Sequence, residues 1–293
     1  MKNELSIFRA PHVRISLFIV HFSLFISSSF ADCNVKGVLP DAPVLCGNAV
    51  QGGLIYGESD WMIITEQPSG KGGVSKDGIF VFGIPMDADK KMTLLFCRPG
   101  EGRNGKCKSY DYEIGQRKYK EQKIKVDDKF VSYPPEVLKR IESENESIAG
   151  MREVVATGWG NFADWRYPFS KKYPISGVYG ARRVFNGEPK SPHRGLDIAA
   201  PKGASVRAIA PGKVVLAMDM YLSGKTIMVS HGFELFSVYA HLDKIKAKVG
   251  DVVSADSIIG SVGATGRASG PHLHLGFYYN QTALDPELLF PRQ

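Results

Sequence analysis

Two histidines near the end of the chain are spaced so that they could bind one object together. His272 and His274 lie two residues apart in an apolar segment, residues 271–279. Side chains alternate between the faces of a β-strand, so a strand here would place both imidazoles on one face. A metal ion is the object that best fits two such imidazoles. The alternative is a pair of structural histidines that are satisfied by hydrogen bonds.

Three residues upstream favour the metal. His193 and Asp197 lie four residues apart, and His241 ends an apolar run, residues 236–240. Each of the segments that carry these residues is strand-like and lies beside glycines. Catalytic zinc sites commonly use three protein ligands and leave a fourth position open for water. The set therefore offers three ligands and two further histidines that can transfer protons.

The order and spacing of these five residues resemble those of the lysostaphin-type (LytM-type) zinc metallopeptidases, which cleave peptidoglycan cross-bridges. The resemblance covers about residues 169–286 and extends to residues 175–180, 192–199 and 263–266. None of the five family positions is missing, which argues against a non-catalytic member. The resemblance implies that Zn²⁺ is the cofactor and that its ligands are His193, Asp197 and His274.

The remaining two histidines are then candidates for the catalytic groups. Zinc lowers the pKa of bound water to near neutrality and polarises the scissile carbonyl. His241 and His272 are interpreted as the groups that orient and deprotonate the water and stabilise the charged tetrahedral intermediate. A core histidine at a strand end is the alternative for His241. His231 precedes Gly232 and is interpreted as a surface turn residue, and Tyr239 is expected to share a strand face with His241.

The first 31 residues are typical of a secretory signal peptide. A basic front is followed by an apolar run, residues 15–26, and by small residues at positions 29 and 31. The mature chain is therefore predicted to begin at Asp32. The apolar run is too short to span a bilayer comfortably, and no later segment is long enough. An uncleaved N-terminal membrane anchor is the alternative.

Four cysteines agree with export, because an even count in a secreted chain indicates disulfides. Three pairings are possible, and the nearest-neighbour pairs Cys33–Cys46 and Cys97–Cys107 are preferred because they close two short loops. A structural zinc site is the alternative, but no Cys-x2-Cys spacing supports it. The cysteines favour an oxidising compartment such as a periplasm.

Composition and charge fit an exported globular protein. The chain is 43% hydrophobic, and its 293 residues are enough for two domains after a signal is removed. The net charge of +7 becomes about +5 when Lys2, Arg9, Arg14 and Glu4 are removed with the signal. This balance favours an anionic cell-wall polymer or membrane face over nucleic acid as the partner.

The hydrophobic patterns predict a mainly β protein. Residues 32–132 contain short apolar runs between turns, including a strand pair within residues 110–126, and predict a small β-sandwich or barrel. Its role is interpreted as structural or positioning. Residues 133–164 form a linker, in which apolar positions recur at helical spacing over residues 136–156. This helix is interpreted as a spacer packed on either neighbour. The alternative is that the helix, or the segment of residues 158–173 after it, covers the zinc cleft.

Residues 165–293 are predicted to form the zinc peptidase domain, an antiparallel β fold with an open groove for an extended peptide. Residues 204–220 are expected to form two strands that pair with each other across a turn at Pro211-Gly212, and residues 284–289 a short closing helix. Residues 263–266 resemble a phosphate loop only superficially, since no Lys-Ser/Thr and no helix follow.

These features predict a secreted zinc endopeptidase that hydrolyses the stem-peptide cross-links of peptidoglycan, most consistent with a periplasm. The D-alanyl–diaminopimelate bond and a pentaglycine bridge are both open as the cleaved bond. One alternative is a cell-wall-binding or amidase-activating protein on the same fold, and another is an adhesin or scaffold whose zinc serves stability. The sequence identifies no divisome or other envelope partner.

Overall fold

The structure is a computed structural model and describes residues 33–59, 63–67, 78–98, 106–124, 133–153, 165–185, 187–189 and 191–290. Within these residues the chain is mainly β, and every named strand pair but one is antiparallel. The predicted fold class is therefore confirmed. The predicted signal peptide, residues 1–31, lies outside the described residues.

The described residues before position 165 form seven strands and one helix. They are β1 (Cys46–Gly47), β2 (Leu54–Glu58), β3 (Ile63–Gln67), β4 (Ile79–Gly83), β5 (Lys91–Arg98), β6 (Lys106–Glu113), β7 (Glu121–Ile124) and α1 (Pro135–Glu153).

Twelve more strands and a 3₁₀ helix lie in the described residues from position 165 onward. The strands are β8 (Ile175–Gly177), β9 (Arg182–Phe185), β10 (Glu188–Pro189), β11 (Leu196–Ile198), β12 (Ser205–Arg207), β13 (Gly212–Met220), β14 (Gly224–Ser230), β15 (Leu235–Ile245), β16 (Val252–Val253), β17 (Ile258–Val262), β18 (Leu273–Tyr279) and β19 (Thr282–Leu284). The 3₁₀ helix, Pro286–Leu289, is the closing helix that the sequence predicts.

Two three-stranded antiparallel sheets, β1-β2-β4 and β3-β5-β6, make up most of the N-terminal half. Apolar side chains alternate along β5, and they meet side chains from one face of the sheet β1-β2-β4 in a common core. Phe80 lies at its centre, where its ring contacts those of Phe82 and Phe96. Aromatic pairs of this kind add about 1 kcal/mol each to the burial of their area.

Both preferred disulfide pairings are confirmed. Cys97 and Cys107 lie directly opposite each other on β5 and β6 and are joined. Cys33 is joined to Cys46 at the start of β1. Each bond closes a short loop and so limits the unfolded chain, which stabilises the fold of a small sheet module.

The sheet β1-β2-β4 is buried on both faces. Ile55 and Phe80 belong to the N-terminal core, whereas Leu54 and Val81 point the other way, into the core of the C-terminal half. Because each face packs against one of the two cores, both faces of the sheet carry apolar side chains, whereas a sheet with one face in solvent would carry polar side chains on that face. The two halves of the chain thus share a packed boundary.

An ion pair across this boundary is largely buried. Arg117 Nη2 donates to Asp285 Oδ2 at 2.7 Å, and the Asp285 side chain is only 1% exposed. The guanidinium lies 5.5 Å from the centre of the Tyr119 ring and 5.9 Å from that of Tyr179. Arg117 therefore links the N-terminal half to both the segment before β9 and the 3₁₀ helix.

These contacts explain why one predicted strand pair is wrong. The sequence predicts that residues 110–126 form a pair, but β6 pairs with β5, and β7 pairs in parallel with β9. The chain between β6 and β7 does not turn back, because Arg117 and Tyr119 hold it against the C-terminal half. A strand from the N-terminal half therefore joins a small sheet of the C-terminal half.

The largest sheet contains the strands β16-β13-β14-β15-β18-β11-β8 in that order, with β12, β17 and β19 paired alongside. Its strands are rich in Val, Ile, Leu and aromatic residues, which fit a half-buried pleated surface. Ile227, Val229, Tyr239 and Phe277 are fully buried in its core. The order of strands makes β11 and β18 neighbours, so the sequence segments around Asp197 and His274 meet.

The predicted pairing within residues 204–220 is also wrong. Two strands do form there, but β12 pairs with β17, while β13 pairs with β14 and β16. The connection between them is not a hairpin, because Ala208, Ile209 and Ala210 are buried in the core. Pro211 has no N–H with which to extend a ladder.

The helix predicted for residues 136–156 is present as α1, and residues 154–156 lie outside the described residues. Proline at its first position suits a helix start, where N–H groups have no partner within the helix. Ile148 packs against an apolar cluster on β13, β14 and β15 that includes Met220 and Phe236. The predicted cover over the cleft, by this helix or by residues 158–173, stays a prediction, and residues 158–164 lie outside the described residues. None of the described helices combines the length and apolarity that a membrane span requires.

His231 is not the surface turn residue that the sequence suggests, because it is only 2% exposed. Its Nδ1 lies 2.7 Å from the Pro211 carbonyl oxygen, and its Nε2 lies 2.7 Å from the Ser237 hydroxyl. The Ser237 hydroxyl in turn lies 3.0 Å from that of Tyr239. Burial lowers the pKa of His231 to about 4, so the ring is neutral at pH 7.

This burial predicts a pH dependence of stability. His231 binds a proton below its ordinary pKa of about 6.5 when unfolded, but only near pH 4 when folded. The unfolded state therefore binds more protons, and the free energy of unfolding falls as the pH drops from 6.5 to 4, by about 3 kcal/mol. Urea unfolding at several pH values measures this. His231→Gln should lose this part of the slope, whereas Lys213→Gln, at an exposed position on β13, should keep it.

A second prediction concerns the ion pair across the boundary. Arg117→Ala leaves the buried Asp285 carboxylate without its cation, which should lower the free energy of unfolding by about 3 kcal/mol in urea. Lys118→Ala changes an exposed neighbour and should have little effect. Equal stabilities of the two variants would show that the pair does not hold the halves together.

Candidate metal centre

Three of the predicted site residues bring one donor atom each to a single point. His193 Nε2 lies 3.0 Å from Asp197 Oδ1 and 3.1 Å from His274 Nδ1, and these last two atoms are 2.8 Å apart. The three atoms form a compact group that could hold a metal ion. Their side chains are 10%, 13% and 21% exposed, in chain order, so the group is mostly buried but keeps some contact with solvent.

Strand pairing places two of these residues. Asp197 on β11 and His274 on β18 are directly opposite each other in the antiparallel ladder. Residues opposite each other in such a ladder have Cβ atoms about 5 Å apart and point to the same face. The pairing of the two strands is therefore enough to bring the carboxylate and the imidazole together, and no loop has to be ordered for this.

His193 comes from the segment before β11 and is held by backbone contacts. Its N–H donates to the Ala181 carbonyl, and its own carbonyl accepts from the Gly180 N–H. Its ring Nδ1 lies 2.9 Å from the Val178 carbonyl oxygen. Since a carbonyl oxygen can only accept, Nδ1 carries the proton, which leaves Nε2 free to face Asp197.

Two glycines leave room for the ligands. A Cβ on Gly177, which lies opposite Asp197 on β8, would be 2.3 Å from the carboxylate oxygen. A Cβ on Gly195 would be 2.7 Å from the ring of His274. Any side chain at either position would displace a ligand atom, so close approach explains both glycines.

The electrostatics of the group suit metal binding. Burial by itself raises the pKa of Asp197, but the adjacent imidazoles of His193 and His274 more than offset it and hold the pKa well below its usual range. Burial lowers the pKa of His274. At neutral pH, Asp197 is therefore a carboxylate and His274 is a neutral imidazole, which are the forms that bind metals.

The donor set also fits zinc by chemistry and size. Imidazole nitrogen and carboxylate oxygen are both zinc ligands, and bond lengths near 2.0–2.1 Å place tetrahedral ligand atoms about 3.3 Å apart. The three donor atoms are 2.8–3.1 Å apart, so they need to move apart only slightly to reach this separation. Three protein ligands leave one position open, as in catalytic rather than structural zinc sites.

His241 reaches the site through a bulge in β15. Tyr239 pairs with Ile227 and Leu242 with Lys225, so β15 advances three residues while β14 advances two. His241 has a φ of 59° within this stretch. A bulge of this kind redirects a side chain and is common beside functional sites.

The bulge overturns the expectation that Tyr239 shares a face with His241. Tyr239 is fully buried, and its hydroxyl accepts from the Ile209 N–H at 2.8 Å. The next residue, Ala240, is the one opposite His274. Regular alternation would place His241 with Tyr239 in the core, and the extra residue turns it to the metal face instead.

His241 and His272 stand beside the donor group as a pair. Their ring centres are 4.7 Å apart, and that of His241 is 6.2 Å from His274. His272 Nε2 lies 3.9 Å from Asp197 Oδ1, farther than the three donor atoms are from one another. Both side chains thus face the metal position while standing back from the group.

Backbone carbonyls orient both rings. His241 Nδ1 lies 2.8 Å from the Thr265 carbonyl oxygen, and His272 Nδ1 lies 2.9 Å from that of Gly270. Each Nδ1 therefore donates, which leaves Nε2 as an acceptor when the ring is neutral. Burial lowers the pKa of His241 to about 4, so its Nε2 can accept a proton at pH 7.

All five residues singled out from the sequence therefore converge. The supporting carbonyls of Val178 and Thr265 were not found from the sequence, because every residue has a carbonyl and only the fold selects which one is used. Both residues lie in or beside the segments 175–180 and 263–266, where the family resemblance was the only signal.

Residues 191–286 match the model of peptidase family M23. These residues are therefore similar to a peptidase M23 domain. The matched range contains all five site residues, and this family consists of metallopeptidases.

Curated proteins that are similar to this chain carry related names. An uncharacterized metalloprotease of Buchnera aphidicola is 36% identical over 44% of this chain and 34% of its own length. Peptidoglycan DD-endopeptidase ShyA of Vibrio cholerae is 38% identical over 37% of this chain and 26% of its own length. The chain thus spans about a third or less of these relatives.

A solved structure matches a longer part of the chain. A crystal structure from Pseudomonas aeruginosa, described as a peptidase M23, has a TM-score of 0.60 and 28% sequence identity. The match covers 82% of this chain and 94% of that one. The similarity therefore extends beyond the M23 residues into the N-terminal half.

The glycine that faces Asp197 gives a testable prediction for the metal centre. Gly177→Ala should weaken zinc affinity about 10- to 100-fold, because its Cβ would push the carboxylate away from the two imidazoles. Competition against a chromogenic zinc chelator measures the affinity. Gly270→Ala is the matched control, since a Cβ there meets nothing within 4 Å. Equal zinc affinities for the two variants would contradict the assignment of Asp197 as a ligand.

Proposed function

We propose that this protein is a zinc-dependent endopeptidase that hydrolyses peptide cross-links of peptidoglycan. The observation that carries the proposal is the group of three donor atoms, within 3.1 Å of each other, beside two imidazoles that stand back from it. The M23 match supports metallopeptidase chemistry. The name of the Vibrio cholerae relative supports peptidoglycan as the substrate and favours a DD-peptide bond.

The three donors are proposed to bind the metal, and the other two histidines to act on the reactants. Bound zinc would acidify a water molecule and polarise the scissile carbonyl. The Nδ1 of each of the two rings, His241 and His272, faces a backbone carbonyl, which leaves Nε2 as the nitrogen available to the reactants. One of them accepts the proton of the attacking water, and the pair then stabilises the charge that develops on the carbonyl oxygen and protonates the leaving amine.

The protein is proposed to act outside the cytoplasm. The two disulfides support an oxidising compartment, and a periplasm combines this condition with access to peptidoglycan. The proposed mature chain begins at Asp32, followed by the front β domain to residue 132, the linker to residue 164 and the peptidase domain to residue 293.

Substitution of single histidines should separate ligands from catalytic groups. His193→Ala should lose zinc, whereas His241→Ala and His272→Ala should retain it and lower turnover at least about 100-fold, because general acid–base groups contribute that much. Zinc is measured by elemental analysis and turnover by release of soluble fragments from purified peptidoglycan. Loss of zinc from His272→Ala would show that this residue is a ligand instead.

Removal of the metal tests the reaction class. A chelator should abolish fragment release, and zinc should restore it, with mass spectrometry of the fragments identifying the cleaved bond. If the metal serves only stability, the protein would release no fragments even before chelation, and chelation would cause a large fall in the melting temperature. Fragment release by an added amidase, but never by the protein alone, would favour the activator alternative.

A further inference from the structure

We propose that Glu144 in the linker helix is a positioning residue for His241. The helix would hold the turn between β13 and β14, residues 221–223, and this turn holds the bulge that carries His241. The inference rests on the proposed catalytic role of His241. It gives the linker helix a role in catalysis. This role differs from the two roles expected from the sequence, a spacer and a cover over the cleft.

Glu144 is a buried carboxylate aimed at a backbone group of the catalytic half. The residue is 8% exposed. Its Oε1 and Oε2 accept from the Tyr221 N–H at 3.1 Å and 2.9 Å. Arg140, one helical turn earlier, donates from Nε to Oε1 at 2.7 Å. Burial of a carboxylate is costly unless it is paired, so this contact is a specific one and not a solvated helix face.

Arg140 strengthens the same attachment. Its Nη2 donates to the Asp219 carbonyl at 3.3 Å, and its guanidinium lies 5.6 Å from the centre of the Tyr221 ring. The helix thus holds the end of β13 and the first residue of the turn. Ile148 adds an apolar contact on the outer face of the same sheet.

The turn of residues 221–223 supports the backbone of His241. The Ser223 carbonyl accepts from the His241 N–H at 2.8 Å. This hydrogen bond lies within the bulge, where His241 has a φ of 59°. A residue other than glycine in this left-handed region carries a cost of about 1–2 kcal/mol, which surrounding contacts must offset.

The first residues of β14, directly after the turn, hold the loop that orients the His241 ring. The Lys225 N–H donates to Thr265 Oγ1 at 2.9 Å, and that hydroxyl donates to the Leu242 carbonyl at 2.7 Å. The Thr265 carbonyl is the acceptor for His241 Nδ1. Gly224 packs directly on this loop, since a Cβ there would lie 2.3 Å from Thr265. The backbone and the ring of His241 therefore depend on one assembly.

These contacts form one connected path from the linker to the reacting groups. Loss of the Glu144 carboxylate would leave the Tyr221 N–H without this acceptor and free the turn to shift. A displacement of about 1 Å at a catalytic group can slow a reaction about 100-fold. Asp197 and His274 lie on β11 and β18, and His193 lies in the segment before β11, so we expect zinc binding to be unchanged in such a variant.

The experiment compares three variants of the full chain. Glu144→Ala removes the acceptor, Glu144→Gln retains one acceptor oxygen, and Glu142→Ala alters an exposed acid of the same helix. Each is assayed for kcat and KM on a soluble cross-linked peptide dimer, for zinc affinity, and for hydrogen exchange at the Tyr221 and His241 amides.

We expect Glu144→Ala to lower kcat about tenfold, with unchanged KM and zinc affinity, and to speed exchange at the two amides only. Glu144→Gln should recover most of the kcat, and Glu142→Ala should match the wild type. Wild-type kcat in Glu144→Ala, or faster exchange throughout the chain, would overturn the proposal. If the wild type and Glu142→Ala both fail to cleave, the proposed function fails, and the local exchange at His241 still decides whether Glu144 positions it.

Discussion

The pairing of β11 with β18 is the constraint on which the rest of the site depends. It places Asp197 opposite His274, so that a carboxylate and an imidazole meet at 2.8 Å on one face of a rigid ladder. Their positions follow from backbone hydrogen bonds and not from flexible loops. His193 then needs only a short segment, fixed to the carbonyls of Ala181 and Val178, to complete the donor group.

The two histidines that stand back from this group are held by a different device. His272 follows from the same strand alternation that places His274, whereas His241 depends on a bulge and a left-handed backbone conformation. Regular strand geometry would bury His241 in the core beside Tyr239. The strand therefore departs from the regular ladder at His241, the residue whose side chain is redirected to the face of the donor group.

The N-terminal half is built into the catalytic half. Both faces of its sheet β1-β2-β4 contribute side chains to apolar cores. Arg117 pairs with a buried carboxylate across the boundary, and β7 joins β9. The segment that these contacts fix, residues 179–182, lies directly after the Val178 carbonyl that orients His193. Packing of the front module and geometry of the metal ligand are therefore parts of one structure.

The sequence by itself determined the mainly β fold, the disulfide pairs and the five residues of the candidate site, because strand periodicity, cysteine spacing and family-like spacing are local patterns. It misplaced His231, the partner of β12 and the strand pair in residues 110–126. Those depend on which distant segments pack together, as do the carbonyls behind His193 and His241 and the attachment of Glu144. Only the tertiary structure decided them, since burial and backbone acceptors belong to the assembled fold and leave no local pattern in the chain.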